Sequence, residues 1–496
     1  MKKLVFLFQI FWLVSFSQEI SWSNVYEQKN SSTKLNFIGK TNTEIFLISQ
    51  EGKGLFSSPQ KTILVFDNST LSYKRKVQIE LENNNGQLNY LHCAIINNQL
   101  FSFYSKSLGD KSQIYSVVLN DNKWGDVTSI CTVPFIDNSQ INLNYFASNN
   151  SLFFYGVRKN ELKRINQFRA VQVNYNSKKE NFFSADLNSE FANLNFMESK
   201  SDSCCSIVLL ANYYQKKTFN INVAIEIPVA IKLNTLNSEC KIIDLKSIDA
   251  SNDFAYLINY NKGILLNREN GKPEISFVDF SNDIHSQVLF NSEKNKPVEQ
   301  EEDYAIEKSS KNILHEKDFK NLKIKNVFQS NDSSLIVVCE QSFKEQICNT
   351  LNYRFGGMQC FDYYYSMDLF IFYFSPKGSL EKMNRFQKPQ VTIDDGGVYN
   401  SVISLNRDKE VFVLYNDEPS NSARKKGRLK TMTYPMSSVI TSLTINKNGL
   451  LNSQRLSNPK QENIILRPSK SLYINSSETL ILATKNNKFK IGKIKL

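Results

Sequence analysis

A repeat of roughly 52 residues constrains this chain more than any other feature of its sequence. A polar turn containing Asn or Asp is followed at once by a short apolar strand, and it recurs at Asn42, Asn98, Asn150 and Asp202, at spacings of 56, 52 and 52 residues. Four-stranded propeller blades repeat every ~40 to 50 residues. Later copies follow at 259–266, 331–338, 407–415 and 475–482, which gives eight candidate units.

Each interval between copies also holds a second pair of strands, for example 113–119 with 126–133, and 169–175 with 181–187. Four strands per unit is therefore the natural count, and the Asn-rich turns tolerate the left-handed backbone that tight hairpins need. We predict an all-β chain that folds as a β-propeller of about eight four-stranded blades. Seven blades is the alternative if the irregular fifth unit belongs to its neighbour, and an array of sandwiches is a third option.

The two ends of the chain are predicted to share a blade. The last unit supplies three strands, at 470–474, 479–484 and 488–496, and residues 19–28 are left over at the start. If residues 19–28 form the fourth strand of that blade, the ring closes and an exposed edge is removed.

The N-terminus has the pattern of a secretory signal peptide. Lys2 and Lys3 precede an apolar run of 11 residues at 4–14 and the small residues Ser15 and Ser17. The run is shorter than the ~20 residues that span a bilayer, and no later run reaches ~18. We therefore expect cleavage after residue 17, no transmembrane segment, and a single propeller domain over residues 18–496.

Three stretches of different composition are predicted to be insertions, at about 291–320, 343–365 and 416–434. The first is rich in Glu and Lys, the second holds two Cys and many aromatic residues, and the third holds a basic cluster. Eight blades with these insertions account for the 479 mature residues without a second domain. Because the long insertions come from late blades, we expect them to group on one sector and to form a partner surface.

The chain is basic, with 60 Lys and Arg against 48 Asp and Glu, or 58 against 48 and a net charge of +10 after the leader is removed. An exported chain meets anionic lipids, acidic glycans and envelope proteins, so no nucleic-acid partner is expected. One tight cluster stands out, which we interpret as a solvated loop, with docking to an anionic surface as the alternative: Arg424, Lys425, Lys426, Arg428 and Lys430.

The eight cysteines divide into one predicted pair and six unpaired residues. Cys348 and Cys360 lie in one insertion and would close a 13-residue loop, which is worth about 3 kcal/mol in the chain-entropy model. The other six lie on or beside predicted strands and are expected to act as small apolar residues: Cys93, Cys131, Cys204, Cys205, Cys240 and Cys339.

The second insertion is also the predicted docking element, because aromatic residues and Arg dominate binding anchors. The alternative is that these side chains fold back onto the blade as a small satellite core. The candidate residues are Tyr353, Arg354, Phe355, Met358, Phe361, Tyr363, Tyr364 and Tyr365.

The leader, the Asn-rich units and the closing segment 488–496 together resemble exported, mostly uncharacterised β-propeller-like proteins of Bacteroidota. The resemblance implies a propeller located in the periplasm or associated with the outer membrane, with secretion as a further option. It rests on packing and turn motifs, so it implies no activity.

No motif of nucleophilic, zinc-dependent or nucleotide-dependent chemistry is present, and the chain has only 3 His. Asp394 and Asp395 precede two glycines, a pattern that favours a plain turn over a Ca²⁺ site, so no metal or cofactor is predicted. We expect a non-enzymatic binding or scaffold module in an envelope or outer-membrane protein complex, with a small molecule or glycan as another kind of ligand. The alternative is a glycan-active or other hydrolytic propeller with its site at the channel mouth.

Overall fold

The structure is a computed structural model. It describes residues 20–28, 34–51, 60–79, 88–109, 111–134, 141–146, 150–159, 164–188, 193–201, 206–215, 225–245, 254–257, 262–269, 272–279, 284–289, 321–351, 357–421, 429–456 and 464–496. The predicted leader at 1–17 and the predicted insertion at 291–320 lie outside these residues. In the described part of the chain, no helix is long and apolar enough to cross a membrane.

The described residues form eight antiparallel sheets that follow one another along the chain. Two short strands come first: β1 (Ser21–Trp22) and β2 (Tyr26–Glu27). Sheet 1 contains β3 (Lys34–Lys40), β4 (Glu44–Glu51), β5 (Gln60–Asp67) and β6 (Tyr73–Gln78). Sheet 2 contains β7 (Asn89–Ile96), β8 (Gln99–Leu108), β9 (Lys111–Asn120), β10 (Lys123–Trp124) and β11 (Thr128–Pro134). Sheet 3 contains β12 (Asn142–Phe146), β13 (Ser151–Lys159), β14 (Ile165–Asn174) and β15 (Glu180–Asp186). Sheet 4 contains β16 (Asn193–Ser201), β17 (Ser206–Gln215), β18 (Ile225–Asn234) and β19 (Glu239–Asp244).

The second half of the chain continues this pattern, and the irregular fifth unit has a sheet of its own. Sheet 5 contains β20 (Phe254–Leu257), β21 (Lys262–Glu269), β22 (Lys272–Asp279) and β23 (Ile284–Leu289). Sheet 6 contains β24 (Leu322–Gln329), β25 (Leu335–Leu351), β26 (Gly357–Phe374), β27 (Leu380–Phe386) and β28 (Gln390–Ile393). Sheet 7 contains β29 (Ile403–Arg407), β30 (Glu410–Asp417), β31 (Val439–Asn446) and β32 (Gly449–Arg455). Sheet 8 contains β33 (Ile465–Leu466), β34 (Leu472–Asn475), β35 (Glu478–Lys485) and β36 (Lys488–Lys495), and 3-10 helices lie at Pro435–Ser437 and Pro468–Lys470.

The sheets pack face to face around their first strands. β3, β7, β12, β16, β20, β24 and β29 contact one another in that order, and β3 also contacts the 3-10 helix Pro468–Lys470 of sheet 8. Because both faces of a sheet are covered by its neighbours, the second strands are apolar without alternation, as in Leu152, Phe153 and Phe154, which are fully buried. This is a β-propeller, and the predicted all-β propeller class is confirmed.

The N-terminal strands pair with the C-terminal strand in sheet 8. Trp22 lies opposite Gly492 in the β1–β36 ladder, and Tyr26 lies opposite Phe489 in the β2–β36 ladder. A Cβ at Gly492 would lie 2.9 Å from the Trp22 ring, so this position needs glycine. The pairing is the one that the closure prediction for residues 19–28 requires. A buried cluster that includes Leu35, Phe66 and Phe489 then joins sheet 8 to sheet 1.

The repeated polar turns serve two purposes. Asn98, Asn150 and Asp408 have positive φ angles, which Asn and Asp accept more readily than most residues. The same turns also bond to neighbouring units: the Asn42 amide donates to Asn98 Oδ1 at 2.6 Å, and Lys409 Nζ lies 2.6 Å from Asp332 Oδ2. The repeat therefore fixes the hairpins and also links adjacent sheets.

A second repeat, Leu-Asn-aromatic, marks the start of the first four units, at 35–37, 88–90, 143–145 and 194–196. In sheet 3, Asn144 Nδ2 donates to Ser199 Oγ of sheet 4 at 2.5 Å. In sheet 1, Asn36 Oδ1 accepts from Lys470 Nζ of sheet 8 at 2.9 Å. These polar contacts join the first strand of a sheet to the neighbouring sheet, at a first strand in sheet 4 and at the 3-10 helix in sheet 8, where buried polar groups need hydrogen-bond partners.

The cysteine predictions are confirmed where the structure describes them. Cys93, Cys131 and Cys339 are buried and unpaired, and Cys240 is half-buried and unpaired. Burial raises the pKa of the Cys240 thiol to about 12, which keeps it protonated and inert. Cys204 and Cys205 lie outside the described residues.

Candidate functional site

The most unusual part of the described molecule is the hairpin of β25 and β26. These strands have 17 and 18 residues, and their pairing continues from Leu335 opposite Phe374 to Leu351 opposite Gly357. We call 335–342 with 366–374 the inner half and 343–351 with 357–365 the outer half. The predicted insertion 343–365 is thus the outer half of a continuous hairpin. Residues 369–374 are the end of the same β26.

The predicted disulfide between Cys348 and Cys360 is confirmed. The two residues are direct partners in the ladder, and their Cα atoms are 3.9 Å apart. Directly opposite Cα atoms lie ~4.5 Å apart in non-hydrogen-bonded pairs and ~5.5 Å apart in hydrogen-bonded pairs. The bridge therefore occupies a non-hydrogen-bonded position and ties the strands together close to the tip.

One face of the outer half carries most of its large apolar side chains. Phe343 and Tyr365 stack with ring centroids 4.5 Å apart and an interplanar angle of 10°, and Tyr363 stacks on Tyr365 at 6.4 Å. Opposite partners share a face, so Ile393 of β28 lies beside Tyr363 on this surface. We call this surface the aromatic face. It consists of Phe343, Glu345, Ile347, Phe361, Tyr363, Tyr365, Val391 and Ile393.

The aromatic face is open to solvent at its aliphatic edge. Ile347 is 36% exposed and Ile393 is 47% exposed, while the aromatic rings between them are half-buried against one another. Burial and then the Glu345 carboxylate raise the pKa of Tyr365, so its hydroxyl stays protonated. The aromatic face thus combines flat aromatic rings, exposed aliphatic side chains and one carboxylate, that of Glu345.

The opposite face is held down by polar contacts. Lys344 Nζ lies 2.7 Å from Asp362 Oδ2 and 5.6 Å from the ring centre of Tyr364. The Tyr364 ring packs against Gly397, where a Cβ would lie 3.2 Å from the ring, and Gly397 has a φ of +67°. Tyr364 therefore braces the hairpin and is separated from Tyr363 and Tyr365, with which the sequence had grouped it.

Residues 394–400 form the turn expected from the two aspartates and two glycines. Asp395 Oδ1 accepts hydrogen bonds from the Gly397 amide at 2.7 Å and from Thr392 Oγ1 at 2.8 Å. Asp394 Oδ1 accepts from the Asp362 amide at 2.8 Å. The carboxylates are thus used to fold the turn and to fasten it to β26.

A buried charged cluster lies at the root of the hairpin, which we call the root cluster. Glu340 Oε1 accepts from Lys388 Nζ and Ser366 Oγ, each at 2.5 Å. Its Oε2 accepts from Ser401 Oγ at 2.7 Å and lies 2.9 Å from Lys325 Nζ. Burial opposes the charge of Glu340, but Lys325 and Lys388 outweigh it and hold the pKa of this carboxyl well below its usual range.

The root cluster contains a serine beside a lysine, a pair that can serve as nucleophile and base in hydrolases. Ser366 Oγ lies 2.5 Å from Lys388 Nζ, but Ser366 is 1% exposed and Lys388 is 2% exposed. Burial lowers the pKa of Lys388 and the Glu340 carboxylate opposes this shift, and Lys388 Nζ also donates to Glu340 and Gln390. A nucleophile must reach its substrate, so this cluster is a structural brace.

Hydrogen bonds extend the brace from sheet 6 to sheets 7 and 8. Gln390 accepts from Lys388 Nζ at 2.9 Å and donates to the Asn416 carbonyl of sheet 7 at 2.5 Å. Asn416 in turn donates to the Leu466 carbonyl of sheet 8 at 2.9 Å. The hairpin therefore projects from a base that three sheets hold rigidly.

The base of the third predicted insertion lies next to the hairpin. The Lys430 amide donates to Asn421 Oδ1 at 2.9 Å, which closes the loop, and the Val391 amide of β28 donates to the Met432 carbonyl at 2.9 Å. Lys430 is exposed. The rest of the predicted basic cluster lies outside the described residues: Arg424, Lys425, Lys426 and Arg428.

The structure divides the predicted docking residues. Phe361, Tyr363 and Tyr365 share the aromatic face, whereas Tyr353, Arg354 and Phe355 lie outside the described residues, and only the backbone of Met358 is described. Five members of the face were missed: Phe343, Glu345, Ile347, Val391 and Ile393. The three on β25 could have been found, because pairing Cys348 with Cys360 in a hairpin fixes their partners on β26: Phe343 with Tyr365, Glu345 with Tyr363, and Ile347 with Phe361.

A second group of charges lies where sheet 8 meets sheet 1. The Arg467 guanidinium lies 5.6 Å from the ring centre of Tyr399, and burial together with the positive charges of Arg467 and Lys34 lowers the pKa of Lys470. Arg467 also interacts electrostatically with the Asp395 carboxylate. Burial raises the pKa of Asp395, and the positive charge of Arg467 opposes this shift. This cationic group does not present the paired carboxylates that glycoside hydrolysis uses.

Among the described residues, no group of three or more His, Cys, Asp and Glu is placed to hold a metal ion.

No family model matches the chain, and no curated protein matches it. Solved structures similar to it include the WD40 domain of SCAP from fission yeast, at 11% identity and a TM-score of 0.39, with 96% of each chain covered. The Dos1 propeller is similar at 7% identity and a TM-score of 0.43, with 95% of this chain and 94% of that chain covered. The β-propeller domain of the Trilobed protease from Pyrococcus furiosus is similar at 8% identity and a TM-score of 0.36, with 87% and 97% covered. The chain spans about half of a similar prolyl endopeptidase, 53% of its length. At these identities the similarities assign no activity, substrate or partner.

Proposed function

We propose that this protein is an exported, non-enzymatic β-propeller that serves as a protein-binding or scaffold module in the cell envelope, with the aromatic face as its docking surface. The observation that carries the proposal is the outer half of the hairpin. It extends beyond the strands that cover the inner half, it is bridged by Cys348 and Cys360, and it stacks Phe343, Tyr363 and Tyr365 beside exposed aliphatic side chains.

The energetic argument rests on preorganisation. Aromatic side chains bury large areas at a low entropic cost, and a few such anchors provide most of the energy of a typical interface. The root cluster and the disulfide hold the hairpin before a partner arrives, so less conformational entropy is lost on binding. Packing of the rings against one another limits their contact with water in the unbound state.

Two features support export. Residues 1–17 have the pattern of a signal peptide, and the disulfide suits an oxidising compartment such as the periplasm. The partner is then an envelope or outer-membrane protein complex.

The test is recovery of the partner from the envelope of the source cells with a tagged chain. The aromatic-face variant Tyr363→Ser with Tyr365→Ser is compared with the wild type and with a control, Phe182→Ser with Met197→Ser. Both control residues are exposed, at 48% and 46%, and lie on sheets 3 and 4. We expect the partner to be lost only with the aromatic-face variant, at an unchanged melting temperature. Equal recovery with all three chains would contradict the proposal, as would fractionation of the protein with the cytoplasm.

A further inference from the structure

We infer that the partner binds by adding a β-strand to the free edge of β25, along Lys344, Gln346 and Cys348. The inference rests on the proposed function, because it names how a partner of the same hairpin is held. It concerns the backbone of the hairpin, whereas the proposed function concerns the side chains of the aromatic face.

The direction of the backbone groups on this edge follows from three contacts. The Ser342 amide donates to the Asn321 carbonyl at 2.9 Å, on the side of β25 that faces away from β26. Asp362, the ladder partner of Gln346, uses both of its backbone groups on the far side of β26: its amide donates to Asp394 Oδ1, and its carbonyl accepts from the Asp394 amide. The backbones of Gln346 and Asp362 therefore do not bond to each other, although Gln346 Nε2 donates to Asp362 Oδ1. The short Cα distance between Cys348 and Cys360 marks the same kind of pair. Alternate residues point the same way, so the amides and carbonyls of Lys344, Gln346 and Cys348 all point outward.

No described strand takes up these groups. The pairing of β24 with β25 begins at Leu322 opposite Gln341 and runs from there into the inner half. Beyond Ser342, the described partner of β25 is β26 alone. A row of outward amides and carbonyls at a spacing of two residues matches the backbone of another extended chain, which is how β-strand addition recognises peptides.

The described edge carries few of the devices that natural proteins use to block strand addition. Residues 346–351 contain no Pro, Gly or charged residue, and no register shift interrupts β25 beyond Ser342. The charged residues of the edge are Lys344, whose ammonium is paired with Asp362, and Glu345, which lies on the aromatic face. A straight edge that a disulfide holds rigid, with one charge paired and the other able to select a basic residue, is suited to accept a strand.

The side chains beside the edge specify the sequence of that strand. On the aromatic face, the added strand runs next to Phe343, Glu345 and Ile347. Cross-strand neighbours prefer apolar pairs and opposite charges. The partner segment is therefore an extended polypeptide with an apolar residue, a basic residue and a second apolar residue at alternate positions.

The probe is a capped, dye-labelled peptide of sequence Thr-Val-Thr-Arg-Thr-Val-Thr, measured by fluorescence anisotropy against the oxidised full-length mature protein. Its twin carries N-methyl groups on the two Thr residues that flank Arg, so the side chains stay the same and two strand-forming amides are removed. We expect binding with a dissociation constant below about 1 mM, and at least about tenfold weaker binding by the twin. Absence of binding, or equal binding by the two peptides, would overturn the inference.

A matched pair of variants tests the edge from the side of the protein. Gln346→Pro removes one outward amide and leaves the ladder with β26 intact, because Pro is tolerated on an edge strand where the N–H faces solvent. Gln346→Thr changes the side chain and keeps the amide. We expect about tenfold weaker binding for Gln346→Pro and a change within about twofold for Gln346→Thr. Intact disulfide and an unchanged melting temperature verify that both variants fold, and equal binding by both would overturn the inference.

The outcomes separate this inference from the proposed function. If Tyr363→Ser with Tyr365→Ser abolishes recovery of the envelope partner while Gln346→Pro leaves both the partner and the peptide bound, docking on the aromatic face stands and strand addition is wrong. If the peptide binds only after residues 291–320 are deleted, these residues of the chain itself occupy the edge of β25. That result would overturn the inference that a partner strand binds there.

Discussion

Sheet 8 and the outer half of the hairpin both hold strands together, and they do so by different means. Sheet 8 joins Trp22 to Gly492 from opposite ends of the chain, among side chains such as Ile481 and Leu482 that are fully buried. The outer half joins Cys348 to Cys360 only 12 residues apart, where much of the surface is exposed, and it uses a covalent bond. Where burial stabilises the pairing of two strands, no covalent bond is needed. Where the strands extend beyond the core, a disulfide provides the stabilisation that burial provides elsewhere.

This difference allows stability and binding to be separated. The residues that stabilise the molecule are buried at the sheet 8 seam and in the root cluster, and the residues proposed to bind lie on the outer half. Variants of each region should therefore have distinct signatures, and the following predictions run from the largest expected effect on stability to the smallest.

Removal of residues 18–28 from the mature chain should have the largest effect. It exposes the edge of β36 and removes the half-buried Trp22 ring that packs against Gly492, and the ~3–5 kcal/mol for loss of a fully buried Trp is the upper limit for loss of this ring. We expect a strongly lowered melting temperature or aggregation, measured by thermal unfolding and size-exclusion chromatography. Val25→Ser is the control, because Val25 is 49% exposed. A truncated chain that stays monomeric and melts like the wild type would show that sheet 8 does not need its N-terminal strands.

Lys388→Met should come next. It leaves the Glu340 carboxylate buried with Lys325 as its remaining cationic partner, and breaking a buried ion pair costs about 3–5 kcal/mol. The control is Lys344→Met, which breaks the surface pair with Asp362 and should lower the free energy of unfolding far less, because solvent screens this pair. Urea unfolding measures both. Adding Glu340→Leu to Lys388→Met should restore much of the loss, and similar effects of the two single variants would contradict a structural role for the root cluster.

Cys348→Ser with Cys360→Ser should have a local effect. The chain-entropy value of about 3 kcal/mol is the ceiling, and the global change should be smaller because the inner half remains anchored without the bridge. We expect faster exchange of the amides that bond to β26, at Phe343, Glu345 and Ile347, and unchanged exchange at 369–374. Reduction of the wild-type protein should reproduce this pattern. Faster exchange throughout the sixth sheet would mean that the two halves unfold as one unit.

Ile393→Ser should change stability least. Ile393 is 47% exposed at the border of the aromatic face, and a surface substitution of this kind stays within about 0.5 kcal/mol. Recovery of the envelope partner should nevertheless fall, because the variant places a hydroxyl on the docking surface. Tyr434→Ser, at a residue that is 76% exposed and outside the aromatic face, is the matched control. Undiminished recovery with Ile393→Ser would place the contact elsewhere.

Local sequence patterns were sufficient to predict the propeller and the disulfide. The polar turns recur at a nearly constant spacing. The residue types of the turns and the apolar character of the strands can both be recognised in the local sequence, without knowing which segments pack together in the fold. The pair of cysteines lay within one short segment, so its closure could be inferred from loop length and compartment. Once Cys348 is placed opposite Cys360 in an antiparallel hairpin, the register of the two strands also places Phe343 opposite Tyr365.

The roles of the aromatic residues and of the charges depend on contacts between segments that are distant in the sequence. Tyr364 differs from Tyr363 and Tyr365 because a glycine turn 33 residues later packs against its ring, and that contact leaves no local trace in the sequence. Glu340 and Lys388 look like ordinary surface charges in the sequence, yet they meet in a buried cluster because the strands that carry them converge at the root of the hairpin. Burial depends on which distant segments come together, and this is the information that a local pattern lacks.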